Sequence, residues 1–474
     1  MSNKRANKYK RLIKNILLLF TGNFVSKVLS FLMVPFYTSI LTTSDYGVSD
    51  LITTTVLLVL PFFSLLMDEA VMRFTLDEGS EKKQVFTIAF LVSGIGFGIA
   101  LVFSPIVLLF KTIRPYYAFI VFYYVVSWIY NVIVSYVRGL DKLSLTTIAG
   151  LIHTFLYLSF NILFLAVIKI GVYGYLLAMN LSNLGGILFL VISCKLYKNF
   201  ISIKEIDWKL AKEMIRYSLP MIPNYISWWF NNCSDRYMVS FFCGTAVTGI
   251  YSVAYKIPTI LSSMTSIFSS AWKISSVEKF GSEESIDFYN KTYRFYSGIL
   301  MIGGAGLILL TKFLASFLFA KEFFLAWKIT PFLILAYIIS ALAQFIESIF
   351  NASKKTKTLF FASTSGAAVN IILNLILIPQ FGGIGAAVAT VIGYLVIWIV
   401  DMVNTRKLFY MELNLKRLVP GCILLIIEIY AILQNCMFGW CVGVICVICV
   451  CILNGNTFLQ SIRMLKKRVK VMRG

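Results

Sequence analysis

Charged side chains are scarce in this chain. Only 14% of its 474 residues are Asp, Glu, Lys or Arg, against about 25% in a soluble domain, too few to build a water-facing globular surface. Acids are scarcer than bases, 21 against 43, which leaves a net charge of +22. There is one histidine, His153, and this excludes metal or proton-transfer sites built from several imidazoles. It lies in the apolar run LIHTFLYL and reads as packed or hydrogen-bonded. Six of the nine cysteines crowd the last two apolar segments, between Cys422 and Cys451, without the polar loops or histidines of a structural zinc site. No metal site and no resident cofactor is expected. P-loop spacing is missing too, so nucleotide hydrolysis is not the expected driving force. No polar segment is long enough to fold into a catalytic or nucleic-acid-binding domain, which excludes a membrane glycosyltransferase, a polymerase and a nucleic-acid partner despite the basic charge. An enzyme is not expected.

What the chain does have is apolar sequence, 59% of all residues. One membrane-crossing helix uses about 20 such residues, so the composition points to an all-α integral membrane protein. Fourteen apolar runs separated by charged or Gly/Pro-rich breaks predict about 14 transmembrane helices. The first, 12–41, follows a basic start but is too long for a signal-peptide core and reads as a retained helix.

Fourteen spans put alternate breaks on opposite faces. One face then collects 34 Lys and Arg, including both termini, and the other collects 6. By the positive-inside rule both termini are expected in the cytoplasm, and the protein in the cell (cytoplasmic) membrane. Internal repeats divide the spans further. Lys142, an apolar helix and then KIGVYG at 169–174 recur as Lys354, an apolar helix and QFGGIG at 380–385. Asn23 with Gly47 is echoed by Asn224 with Gly249, and Ser93-Gly94 by Ser297-Gly298. These recurrences predict two pseudo-symmetric six-helix bundles, in 1–196 and 214–410, joined by a cytoplasmic linker at 197–213. Two further helices follow in 411–456, then a basic cytoplasmic tail at 457–474. An even number of spans in each half makes the repeats parallel, a transporter arrangement. Gly94 and Gly98, with Gly303, Gly304 and Gly306 in the second half, are expected to allow close helix packing.

Four stretches carry a family resemblance: DEAVMRF at 68–74, VRGLDKL at 137–143, the block 217–258 containing Pro220, Pro223, Asn224 and Ser-Asp-Arg-Tyr at 234–237, and the Gly-Gly-Ile-Gly at 382–385. In these the chain resembles the Wzx-type polysaccharide-transporter flippases of the MOP exporter superfamily. The resemblance spans most of 12–410 and fades over the last two helices. It implies a V-shaped, MATE-like two-bundle fold. It also implies outward translocation of an undecaprenyl-pyrophosphate-linked oligosaccharide, for surface polysaccharide such as O-antigen or capsule, by alternating access. The partners it implies are the lipid-linked oligosaccharide, the lipid bilayer and polysaccharide polymerase machinery, and the coupling ion, Na⁺ or H⁺, stays open.

Three basic residues, Lys27, Arg236 and Lys256, fall inside predicted spans, where an ionisable group costs at least about 2.5 kcal/mol unless it faces a cavity or a partner. A 1.5 Å rise per residue puts Arg236 and Lys256 at similar depth. Cations in low dielectric suit a pyrophosphate, and arginine can hold phosphate oxygens bidentately. The competing reading pairs Arg236 with Asp235 and lets the lysines snorkel. Asn23, Asn224, Asn231 and Asn232 are candidates for sugar hydroxyls or for interhelical bonds. Asp68, Glu69 and Arg73 form a candidate gate or ion-coupling group together with Asp235, with Glu69 and Arg73 spaced to pair on one helix face. Glu347, Asp401 and Glu428 are intramembrane acids and weaker coupling candidates. A MATE-like secondary exporter of small organic molecules is the alternative, and it would want a carboxylate in its cavity and no lining of Lys and Arg.

Overall fold

The computed structural model describes residues 25–77, 79–279, 285–353, 356–406, 411–412 and 414–473. All regular elements among them are helical. In chain order they are α1 (Val25–Ile40), α2 (Thr43–Ser64), α3 (Met67–Thr75), α4 (Lys82–Phe103), α5 (Tyr117–Gly139), α6 (Leu143–Asn161) and α7 (Gly171–Cys194). Then come α8 (Trp208–Ser218), α9 (Ile222–Ala254), α10 (Pro258–Lys279), α11 (Ser285–Leu318), α12 (Thr330–Ala352), α13 (Thr356–Thr405), α14 (Leu415–Leu433) and α15 (Met437–Arg473).

Ten helices among the described residues are long and apolar enough to cross a membrane, and α1 is a shorter apolar helix. Two of the ten, Trp208–Ala254 and Lys357–Thr405, run to 47 and 49 residues. At 1.5 Å per residue each would be about 70 Å long, roughly twice a hydrocarbon core of about 30 Å. Glycines interrupt both runs: Gly244 at φ 84° and Gly382 at φ 57° leave helical geometry. The protein is therefore an all-helical, multi-pass membrane protein, and fourteen spans stay the expectation of the sequence.

The chain divides into two compact units, residues 1–229 and 230–474. In the first, α6 packs along α7, α5 packs on α7, and the short α3 is wedged against α4, α5 and α8. The segment 197–213 is tied into this unit. Gln84 bonds both the Glu205 carbonyl (2.8 Å) and the Asp207 amide (3.0 Å), and the Ile201 amide donates to Thr87 at 3.1 Å. Residues 214–218, expected at the start of a span, finish the amphipathic α8, whose N-cap is Asp207 and which opens the apolar run Trp208–Ala254. In the second unit α12 packs on α13, α10 on α12, and α15 on α11 and α14. Its aromatic core stacks Trp272 on Phe345 with ring centres 4.0 Å apart, and Phe268 on Tyr296 at 4.1 Å.

Gly171 and Gly382, equivalent in the sequence repeat, both have positive φ, 55° and 57°. Each opens the helix that follows, a backbone state that side chains with a Cβ rarely tolerate. The expectation for the other glycines is partly corrected. A Cβ on Gly94, Gly98 or Gly306 would meet nothing within 4 Å, so these are not close-packing positions. The close approaches are at Gly96, where a Cβ would fall onto the Phe63 carbonyl, and at Gly304, where it would strike Ile338. Helix rotation decides which glycine of a cluster faces its neighbour, and composition does not carry that information.

Candidate functional site

The first unit builds its site around α3. Between α2 and α3 the chain reverses through Leu65 and Leu66, both left-handed at φ 51° and 50°. The apolar face of α3, Met67, Ala70 and Val71, is then fully buried. This places Asp68 and Glu69 in the first turn of the helix, where the positive end of the helix dipole favours carboxylates. Tyr225, from the start of α9, donates its hydroxyl to Glu69 Oε1 at 2.8 Å. Burial, and then the neighbouring Glu69 charge, push the Asp68 carboxyl up to about 6. Arg73 does not pair with Glu69 as its spacing suggested. It pairs with Asp77 on the exposed side of the helix, because Glu69 is turned towards Tyr225 and a solvated partner avoids the cost of desolvating a guanidinium.

Beside this turn lies a cavity of about 920 Å³. Each surrounding helix contributes residues at helical spacing. Ser127, Tyr130 and Asn131 come from α5, His153, Thr154 and Tyr157 from α6, and Asn183 from α7. The start of α9 adds Asn224, Tyr225 and Trp228, and α2 supplies an apolar wall at Val56, Leu57 and Leu60. His153 lies between two tyrosine rings, parallel to Tyr157 with centres 6.3 Å apart and 5.9 Å from Tyr130. A second chamber of about 400 Å³ adjoins, with Glu69 and Arg138 in its wall. The chambers share Asp68, Tyr130, Asn131 and Tyr225, so the Tyr225–Glu69 bond lies at the partition. Among the described residues the larger chamber is lined by one carboxylate, Asp68, and by no Lys or Arg.

A polar cluster in the second unit surrounds Asp235, which is buried. Its carboxylate accepts from the Tyr251 hydroxyl, from Tyr255 at 2.9 Å and from the Arg236 amide at 2.9 Å. The Arg236 guanidinium donates to the Asn232 carbonyl at 2.7 Å and lies 4.9 Å from the Tyr255 ring centre, a cation–π contact. Asn232 Oδ1 accepts from Tyr394 at 3.1 Å, and Asn231 donates to the Ser363 carbonyl at 3.3 Å. Asp235, Arg236 and Asn232 are therefore brought together, as expected from their spacing. Lys256 lies in the turn between α9 and α10 and is half-buried.

Of the remaining candidates, Lys27 is exposed on α1, Asn224 is exposed at the cavity, and Asn23 lies outside the described residues. Asp401 and Glu428 are fully buried, and neither Asp401 oxygen meets a hydrogen-bond donor among the described residues. No cluster of His, Cys, Asp or Glu able to hold a metal ion occurs among them. The polar face of α5 and α6 was missed. Its signal was legible as amides, hydroxyls and His153 recurring every three to four residues within apolar runs, a pattern expensive in hydrocarbon unless it faces a cavity.

Against known proteins, the family described as polysaccharide biosynthesis protein matches residues 12–272. An uncharacterized membrane protein of Methanocaldococcus jannaschii is 51% identical over 43 residues, which are 9% of this chain and 8% of that protein. The chain thus matches only a small part of the length of that curated relative. Among solved structures, the lipid II flippase MurJ in an inward closed conformation is similar with a TM-score of 0.70, at 16% identity, over 94% of this chain and 99% of that one. A Vibrio cholerae MATE transporter is similar at 0.57, with 14% identity over 84% of this chain and 97% of that one. A MOP superfamily transporter from Pyrococcus furiosus gives 0.60, with 13% identity over 85% and 97%. These likenesses establish the fold.

Proposed function

Since the chain belongs to the polysaccharide biosynthesis protein family, we propose that it translocates a lipid-linked oligosaccharide, carried on undecaprenyl pyrophosphate, across the cytoplasmic membrane by alternating access. In this reading it serves surface polysaccharide synthesis and catalyses no covalent step. The observation that supports it best is the half-buried guanidinium of Arg236 in an apolar helix, set by the Asn232 carbonyl and the face of Tyr255. Such a group offers a rigid fork to a phosphate oxygen in a medium where an unpaired anion is prohibitively costly. Lys256 adds a second positive charge in the same unit, and Lys27 is a third basic candidate. Outward movement of the anionic head in a negative-inside cell gains about 2.3 kcal/mol per charge per 100 mV. The test is a proteoliposome assay with lipid-linked oligosaccharide extracted from the producing cells, read as the fraction reaching the opposite leaflet. No excess over protein-free vesicles would reject the reading, as would deletion of the gene without accumulation of carrier-linked oligosaccharide on the cytoplasmic leaflet.

A second reading, a MATE-like exporter of small organic molecules, is favoured by one observation. Among its described lining residues the larger first-unit chamber holds a carboxylate, Asp68, and no Lys or Arg. Uptake of a fluorescent organic cation into inverted vesicles, abolished by Asp68→Asn, would decide in its favour.

A further inference from the structure

The large first-unit chamber has no Lys or Arg among the described residues that line it. Its walls nevertheless carry far more hydrogen-bonding capacity than helix packing requires. Thirteen of the twenty described residues that line it have a side-chain donor or acceptor. Three are amides on three different helices: Asn131 on α5, Asn183 on α7 and Asn224 on α9. The same wall carries aromatic rings, the Tyr130–His153–Tyr157 ladder and Trp228. A volume of about 920 Å³ falls near the top of the range of ligand pockets, roughly 300–1,000 Å³.

Each ligand class makes a different demand on such walls. A phosphate needs cations, and no Lys or Arg is among the described residues that line this chamber. Some of these groups have protein partners already, Thr154 with Ser26, Asn183 with the Met179 carbonyl and Tyr225 with Glu69, but a purely apolar molecule would give the wall's remaining hydrogen-bonding capacity nothing in exchange for water, which costs affinity. An organic cation needs one carboxylate and aromatic rings, and has no use for three separated amides. Uncharged sugar rings use the whole set: hydroxyls pair with amides, which both donate and accept, while the C–H faces of the ring lie against aromatic planes. We propose that this chamber is a glycan site, which receives the neutral sugar rings of the substrate while the carrier's charged head is held elsewhere.

The inference deepens the translocation reading and rests on it for the identity of the ligand, but the test separates the two. The probe is the water-soluble glycan released by mild acid from the lipid-linked oligosaccharide of the producing cells. Its binding to detergent-purified full-length protein is followed by saturation-transfer NMR. Binding is expected to the wild type and to Arg236→Ala, and to weaken by about tenfold or more in Asn131→Ala/Asn224→Ala, where two partners of sugar hydroxyls are lost. Asn131→Leu is the companion variant: it keeps the side-chain volume while removing the hydrogen bonds, and a retained melting temperature separates lost binding from lost fold. Absence of binding to the wild type would overturn the glycan site, as would undiminished binding in both asparagine variants. Displacement of tetraphenylphosphonium that depends on Asp68 but not on the asparagines would instead mark the chamber as a cation site. Protein that binds the glycan but moves no lipid-linked carrier would sink the translocation reading and leave the glycan site standing. Translocation without glycan binding would do the reverse.

Discussion

Tyr225 and Glu69 stand 156 residues apart in sequence and are joined by a 2.8 Å hydrogen bond. The bond fastens the start of α9 to the first turn of α3, at the partition between the two chambers of the first unit. It also fixes Glu69 beside Asp68, and the proximity of these two carboxylates has a measurable result.

Asp68 titrates at about 6 in the folded protein, raised from 3.8 by burial and by Glu69. The native state therefore holds a proton that the unfolded chain has released across this window, and stability falls as pH rises from about 4 to 6, then levels off. Asp68→Asn removes the dependence. The variant is expected to melt higher than wild type at pH 7.5, by at most about 3 kcal/mol, and to come close to it near pH 4. Thermal scans of detergent-purified protein at both pH values check this, and an equal offset at the two would contradict it.

Two neighbouring glycines make a steric prediction. A Cβ at Gly96 would fall onto the Phe63 carbonyl, next to the left-handed Leu65 and Leu66, while one at Gly94 meets nothing. Gly96→Ala is expected to cost about 1–3 kcal/mol or more through overpacking, and Gly94→Ala less than about 0.5 kcal/mol. Melting temperature and membrane abundance of the two proteins provide the comparison.

The Arg236 cluster predicts a graded series in sugar export. Arg236→Ala should lower it by about a hundredfold, the scale of losing a charge-assisted bidentate bond of roughly 3 kcal/mol, with the protein still inserted. Arg236→Lys should restore part of it, since a point charge replaces the fork, and Lys256→Gln should have the smaller effect. A purely structural role gives a different pattern: Arg236→Ala loses membrane abundance, and neutralising Asp235 as well restores it. Protein level and surface polysaccharide measured together separate the two, and full export by stable Arg236→Ala protein removes the anion site.

Topology rests on the distribution of 34 against 6 basic residues, and so on the positive-inside rule. Reporter fusions at Gly47, Gly171 and Gly382 are expected to read outside. Fusions at Gly139, Gly281 and Lys355 are expected inside. Two reversed reporters would refute the fourteen-span arrangement with both termini in the cytoplasm.

Composition alone determined that this is a multi-pass helical membrane protein, because the transfer of apolar side chains out of water is a sum over residues and needs no knowledge of their neighbours. The repeat located Gly171 and Gly382, since a left-handed backbone turn is a local demand that glycine meets by itself. Spacing likewise brought Asn232 next to Arg236, one helical turn apart. Spacing could not choose between Glu69 and Asp77 as partner of Arg73, because both stand four residues away and the choice fell to Tyr225, which is distant in sequence. Nor could it choose Gly96 over Gly94, or show that stripes on α5, α6, α7 and α9 enclose one chamber. Those outcomes depend on how each helix is rotated against the others, and only the packed tertiary structure sets that rotation.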